Sequence, residues 1–174
     1  MPAPAPPKDL ARDPADDLAR AQAALDRVHD PEIPALTIAQ LGILREVAER
    51  DGRIVVTLTP TYSGCPATAA IELEVQTALA RAGLADAEVR TALSPPWTTD
   101  WITPEGRARL RAAGIAPPRK AAGKAALLGL DPDIACPHCG HAQTEKLSEF
   151  GATACKALYR CLACREPFEY FKCI

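Results

Sequence analysis

Two C-x-x-C pairs near the C-terminus, an Asp-Gly turn between two alternating apolar segments, and apolar residues recurring at helical spacing predict an α+β protein. The expected form is a small α/β domain, a short mixed sheet packed by helices, followed by a C-terminal zinc ribbon. Changes in composition set the expected boundaries: a Pro/Ala tail over 1–12, the α/β domain over 13–115, a linker over 116–134 and the ribbon over 135–174. A chain of 174 residues, 48% hydrophobic and 24% charged, is long enough for one domain and a small metal module.

Charge and cysteine usage exclude several classes. A formal net charge of −2 gives no global attraction to nucleic acid or to an anionic membrane. Seven cysteines, an odd number, fit a reducing compartment better than a disulfide framework. No apolar run approaches the roughly 20 residues of a membrane span, and no N-terminal apolar segment precedes a cleavage site. A soluble, cytoplasmic protein is expected.

The elements follow in order. Met1 to Pro7 alternate proline with small residues, which favours an extended tail. Asp13-Pro14 reads as an N-cap with proline at the first helical position, and Leu18, Ala21, Leu25 and Val28 form one stripe of a helix that ends at Asp30-Pro31. The stiff Asp30-Pro31-Glu32-Ile33-Pro34 that follows carries an acidic pair. Capping and solvating a turn is the simpler role for Asp30 and Glu32; holding a partner is the other. Strands are predicted over 43–49 and 53–59, paired antiparallel through Asp51-Gly52, with Ile54, Val56 and Leu58 on one face. The second strand runs into Thr59-Pro60-Thr61-Tyr62-Ser63-Gly64-Cys65-Pro66, rich in hydroxyls. A helix then begins with Pro66 in its first turn, buries Ile71, Val75, Ala78, Leu79 and Ala82, and stops at Gly83. A third strand is expected over 88–93, and Trp97 and Trp101 are expected to pack over the core edge. Thr103-Pro104-Glu105 caps a short helix whose Arg107, Arg109 and Arg111 suggest a solvated or partner-facing surface.

Within the linker, Leu127, Leu128 and Leu130 are candidates for an added strand. The ribbon itself holds five basic and four acidic residues, too even a balance for a nucleic-acid footprint. Phe150, Tyr159, Phe168, Tyr170 and Phe171 supply the apolar layer a ribbon needs beside its metal.

Two sites carry chemistry. Cys136, Cys139, Cys161 and Cys164 form two knuckles with twenty-one residues between them, and two tight turns bring four thiolates to one point, the tetrahedral demand of structural zinc. A rubredoxin-like iron or an iron-sulfur cluster would use the same sulfurs, and spacing does not separate them from zinc. Gly140 after the first knuckle suits a positive φ. His138 and His141 are expected to face solvent, since four sulfurs fill the shell. Cys65 lies beside the start of a helix, where unpaired N–H groups and the helix dipole favour an anion, and a thiolate is the form that ligates metal. An inert, half-buried cysteine at a cap position is equally consistent with the local sequence. Nothing completes a nucleophile-base pair, because His29 is the only histidine outside the C-terminal module. Cys155 and Cys173 stand outside the knuckles as fillers or as extra ligands of a cluster.

Asp30-Pro31-Glu32-Ile33-Pro34, Leu41-Gly42-Ile43 and the 59–66 loop resemble the small α/β domain of the SufT and cytosolic iron-sulfur assembly proteins. The stretch from Phe150 to Cys161, with Glu166 to Cys173, resembles the PaaD (also called PaaJ) proteins of bacterial phenylacetate degradation. This resemblance implies an accessory, non-catalytic partner of the phenylacetyl-CoA epoxidase system. Its neighbours would be a di-iron oxygenase with a structural subunit and a reductase carrying flavin and a plant-type iron-sulfur cluster. The implied role is assembly or insertion of that cluster, with Cys65 as a transient iron-sulfur ligand, Asp30 and Glu32 as accompanying acids, and two chains able to share a cluster as a homodimer. A purely structural subunit of the oxygenase, and a zinc-ribbon enzyme or electron carrier, remain as other readings.

Overall fold

The computed structural model describes residues 13–118 and 134–172. The expected tail at 1–12, most of the expected linker with its three leucines, and Cys173 lie outside those residues.

Helix α1 (Pro14–Leu25) starts where the sequence places it, with the Asp13 side chain accepting from the Ala15 N–H at 2.9 Å. It ends earlier than expected. The chain turns after Leu25, Val28 donates back to the Leu25 carbonyl, and His29 forms an isolated antiparallel bridge to Thr37. The helical apolar spacing therefore continues past the helix, and Val28 is buried from a turn.

Strands β1 (Leu44–Arg50) and β2 (Arg53–Leu58) form the expected hairpin. Asp51 (φ 52°) and Gly52 (φ 77°) both take positive φ, as the tight primed turn requires. Helix α2 (Thr68–Arg81) returns the chain to β3 (Glu88–Thr91), which pairs parallel with β2, so the sheet order β1-β2-β3 is mixed. Pro66 is not in the helix: the first helical residue is Thr68, and residues 65–67 form a turn in front of it. Ile71, Val75 and Leu79 of α2 meet Ala21 and Leu25 of α1 and Ile54, Val56 and Leu58 of β2 in one core.

Trp97 enters that core and donates its indole N–H to the Leu41 carbonyl at 3.0 Å, while Trp101 lies at the edge under the Arg45 guanidinium, 3.4 Å from its ring centroid. Gly42 (φ 72°) marks a tight crossing: a Cβ there would lie 2.6 Å from the Trp101 Cβ.

Helix α3 (Pro104–Ala112) is capped by Thr103, whose hydroxyl accepts from Gly106. Its arginines divide. Arg109 and Arg111 are exposed, but Arg107 is spent on the fold, its guanidinium donating to the carbonyls of Thr99 and Pro118. The expected three-arginine surface is therefore two arginines.

Immediately after α3, β4 (Ile115–Ala116) joins a second sheet with β5 (Thr144–Ser148), β6 (Lys156–Cys161) and β7 (Pro167–Phe171), in the order β4-β7-β6-β5. β4 straddles the expected 115/116 junction and pairs parallel with β7. The aromatic layer is also split. Tyr159, Phe168 and Tyr170 form the ribbon's own cluster with Cys136 and Cys161. Phe171 points the other way, 1% exposed in the larger core, its ring centroid 6.0 Å from that of Trp97. Phe150, expected inside, is 62% exposed with the Lys172 ammonium over its ring. Alternation along a strand explains the first result: adjacent residues Tyr170 and Phe171 face opposite sides, and both sides are covered here.

Candidate metal centre and acidic thiol pocket

The four knuckle sulfurs converge. Cys136 follows the buried Ile134, Gly140 (φ 77°) turns the chain back so that its N–H reaches the Cys136 carbonyl, and Arg165 N–H does the same to the Cys161 carbonyl. The ligand atoms of Cys136, Cys139, Cys161 and Cys164 all lie within 4.8 Å of one another, with Cys136–Cys164 at 3.8 Å and Cys139–Cys161 at 3.6 Å. A disulfide needs about 2.05 Å. A tetrahedral ion with metal–sulfur bonds of about 2.3 Å sets neighbouring sulfurs about 3.8 Å apart. The donor set therefore fits one tetrahedral, thiolate-preferring ion, and the residues that would hold it are the predicted four. Burial opposes the Cys161 thiolate, but backbone N–H groups of Cys164 and Ala163 and hydrogen bonds from the Cys139 and Cys164 thiols bring it down to about 6. The Cys164 thiol of the same knuckle goes the other way, up to about 12: the Glu166 N–H opposes the rise, and burial and the contacts with Cys139, Cys161 and Cys136 produce it. His138 and His141 are exposed.

The second site is a pocket at the end of β2. Asp30, Glu32, Thr61, Cys65, Thr68 and Cys155 line it around an apolar floor of Ile33, Ile71 and Phe171. Its cavity is about 20 Å³, close to the space of a single water molecule. Three of the sequence-predicted residues, Cys65, Asp30 and Glu32, are thus brought together.

Asp30 is 6% exposed and caps the turn it begins, its Oδ1 accepting the N–H groups of Glu32 (2.9 Å) and Ile33 (2.7 Å). The capping role is therefore real, and it is performed from a buried position beside the cavity. Burial pushes the Asp30 carboxyl up, against the pull of those two N–H groups and of the Lys156 charge. Glu32 is half-buried and also held up, by burial first and then by the Asp30 charge, with Lys156 opposing. Cys65 is half-buried in a loop whose Gly64 and Cys65 N–H groups both reach the Tyr62 carbonyl. Burial raises the Tyr62 phenol, and the Cys65, Cys155 and Glu32 charges add to the effect.

The sequence leaves Cys155 open between filler and extra ligand. It is 4% exposed in the large core, 3.0 Å from the Thr153 hydroxyl. Its neighbour Lys156, also buried, pairs with Glu169 at 2.7 Å. No local pattern could have placed a ribbon residue beside the Cys65 loop. The only hint is that Cys155 lies in the Phe150–Cys161 stretch that carries the PaaD resemblance, just before a strand.

Comparison with known proteins agrees with this two-part layout. The family described as PaaD zinc beta ribbon domain matches residues 120–172, and the iron-sulfur cluster assembly protein family matches residues 18–93. A protein of Escherichia coli K12, provisionally named as one of the subunits of 1,2-phenylacetyl-CoA epoxidase, is 50% identical over 152 residues, covering 87% of this chain and 90% of its own. The Fe-S protein maturation auxiliary factor YitW of Bacillus subtilis is 40% identical over 79 residues, covering 44% of this chain and 76% of its own. Its counterpart SufT of Staphylococcus aureus is 37% identical over 78 residues, covering 44% and 88%. A crystal structure of a DUF59 domain from Bacillus anthracis aligns over 55% of this chain and 92% of its own, with 27% identity and a TM-score of 0.48. With an iron-sulfur-assembly-type N-terminal part, a four-cysteine ribbon and half its residues shared with the E. coli protein across most of both chains, the chain belongs to the PaaD family.

Proposed function

We propose that this chain is a cytoplasmic accessory protein of a multicomponent phenylacetyl-CoA 1,2-epoxidase. It assists assembly or insertion of the iron-sulfur cluster of the reductase component and turns over no substrate of its own. The observation that carries this reading is the position of Cys65: a half-exposed thiol at the mouth of a small pocket beside two carboxylates, on a chain half identical to a protein named as part of that epoxidase. A thiol in that place is a poor permanent cage and a good transient ligand, and two chains could share a cluster. Glu32 borders the same space, and Asp30 holds the loop that shapes it. The ribbon cysteines hold zinc as a structural ion, which supplies folding energy to the module that contacts partner subunits. A net charge of −2 offers nucleic acid nothing, and among the described residues no helix is long and apolar enough to cross a membrane.

The test is to express the reductase alone, with this protein, and with its Cys65→Ala form, and to measure reductase-bound iron and sulfide. The expected result is higher occupancy with the intact protein than in the other two arms. Equal occupancy in all three removes the maturation role. The name of the E. coli relative favours a second reading, a non-catalytic structural component of the oxygenase. On that reading Cys65→Ala leaves cluster content unchanged, while removing the chain disrupts the assembled complex.

A further inference from the structure

The pocket around Cys65 contains more ligand chemistry than the resemblance to assembly proteins accounts for. Cys65 comes from the loop after β2, and Cys155 comes from the ribbon, just before β6. Both line the same cavity with Asp30 and Glu32. We propose that Cys155 completes the Cys65 site, so that the two thiolates and the Glu32 carboxylate bind one exchangeable divalent ion of the iron(II) and zinc(II) class across the junction of the two modules. The inference rests on the maturation reading only for the use of that ion, as a building block of a cluster.

Two observations support it. The donor set is mixed sulfur and oxygen, which suits borderline transition metals and not calcium or magnesium. The cavity, about 20 Å³, has room for one ion or one water and not for a cluster with its bridging sulfides. Lys156, buried and paired with Glu169, lies near two of the ligands, Glu32 and Cys155, and near the Asp30 carboxyl. Its own charge is balanced by Glu169, so the pair adds no net charge to the pocket.

The geometry also explains why the site would exchange its ion. Among the described residues, the ribbon's four sulfurs are the set of ligand atoms already gathered within 4.8 Å of one another. The pocket's donors are not. Its Cys155 is fixed in the core, whereas Cys65 sits on a partly exposed turn with Ser63 and Gly64 exposed beside it, open to solvent and to a partner that would take the ion. Binding breaks two S–H bonds, forms two metal–sulfur bonds and releases two protons to solvent. No electron changes hands.

The experiment uses the full chain, stripped of loosely held metal and titrated with zinc chloride or cobalt chloride. The wild type is expected to retain one tightly held ion and take up a second, weaker one, with cobalt–thiolate absorption rising in both steps. Cys65→Ser and Cys155→Ser are each expected to take up one ion only, with at least a tenfold loss of affinity for the second, while thermal unfolding shows both variants folded. One ion per wild-type chain overturns the site, as does a second ion that Cys155→Ser still binds with wild-type affinity. Should Cys155→Ser fail to fold, cobalt-edge X-ray absorption on the wild type with zinc in the ribbon decides. Two sulfur neighbours around cobalt support the site and fewer than two overturn it. Two ions on the wild type together with unchanged reductase occupancy would leave this site standing and sink the maturation reading alone.

Discussion

Asp30 offers the sharpest separation of a structural role from an electrostatic one. Its Oδ1 accepts two backbone N–H groups, and one of them, that of Ile33, is buried. Asp30→Ala leaves the Ile33 N–H with no acceptor and no water, at about 1–3 kcal/mol, and gives up a second bond that water replaces in part; about 2–4 kcal/mol is expected in all. Asp30→Asn keeps the acceptor oxygen and removes a buried charge, so its cost is expected to stay below about 1 kcal/mol. The two variants also differ from wild type in how stability depends on pH. Burial holds the folded carboxyl above its ordinary value of 3.8. The folded chain therefore keeps the proton longer than the unfolded chain, so stability from this group is full below that value and is lost as pH rises through the raised one. Asn has no such loss. Guanidinium unfolding of wild type, Asp30→Ala and Asp30→Asn, each loaded with metal, is expected to show the Asn form gaining on wild type as pH climbs from about 4, then levelling. Any metal loss from the ribbon at low pH is common to all three and cancels in the differences. Equal destabilisation by Ala and Asn, or an Asn form that loses ground to wild type as pH rises, would refute the reasoning.

Three further outcomes are expected. A strong chelator at neutral pH, or Cys139→Ser, removes the ribbon ion and with it a contribution of about 10–16 kcal/mol to folding, so fluorescence of Tyr159 and Tyr170 changes to that of exposed side chains; unchanged tyrosine emission after verified metal loss counts against a structural ion. Phe171→Ala costs about 3–5 kcal/mol and red-shifts the emission of Trp97, whose ring it touches; a loss under about 1 kcal/mol would show that the two cores are not joined there. Gly42→Ala must adopt φ 72° and place its Cβ against the Trp101 backbone, so a loss of at least about 2 kcal/mol is expected in thermal or denaturant unfolding, and a neutral result would mean that crossing can relax.

Much of this fold could be read because its signals are local. Asp13-Pro14 caps α1, Asp51-Gly52 closes the hairpin and Thr103-Pro104 opens α3, each through a bond between residues a few positions apart. The four knuckle cysteines were legible for a similar reason, since each C-x-x-C is a self-contained turn. What escaped was set by contacts distant in sequence. Val28 kept the helical spacing but is buried from a turn because His29 pairs with Thr37. Arg107 looked like its neighbours until the chain at Pro118 passed within its reach. Phe171 and Tyr170 share one layer by composition, because composition shows that a strand is apolar and cannot show that both faces are covered. Cys155 escaped for the strongest form of this reason: the cavity it lines is shared with residues of the other module.

That last contact makes the two metal questions dependent on each other in one direction. β6 is six residues long, with Lys156 at one end and the knuckle residue Cys161 at the other. An ion held at Cys161 therefore fixes the strand whose opposite end sets Cys155, and the Lys172 N–H, donating to the Cys155 carbonyl at 2.9 Å, ties the same point to the end of β7. If the ribbon loses its ion, β6 and β7 lose their anchor and Cys155 loses its place beside Cys65. The reverse does not follow, because Cys65 sits on a loop that no ribbon strand needs. Cys161→Ser is therefore expected to reduce bound metal from two ions per chain to none, and Cys65→Ser from two to one, as read by metal analysis after gel filtration. A Cys161→Ser chain that keeps the weaker ion would show the pocket to be independent of the ribbon, and Cys155 would then be packing and not a ligand.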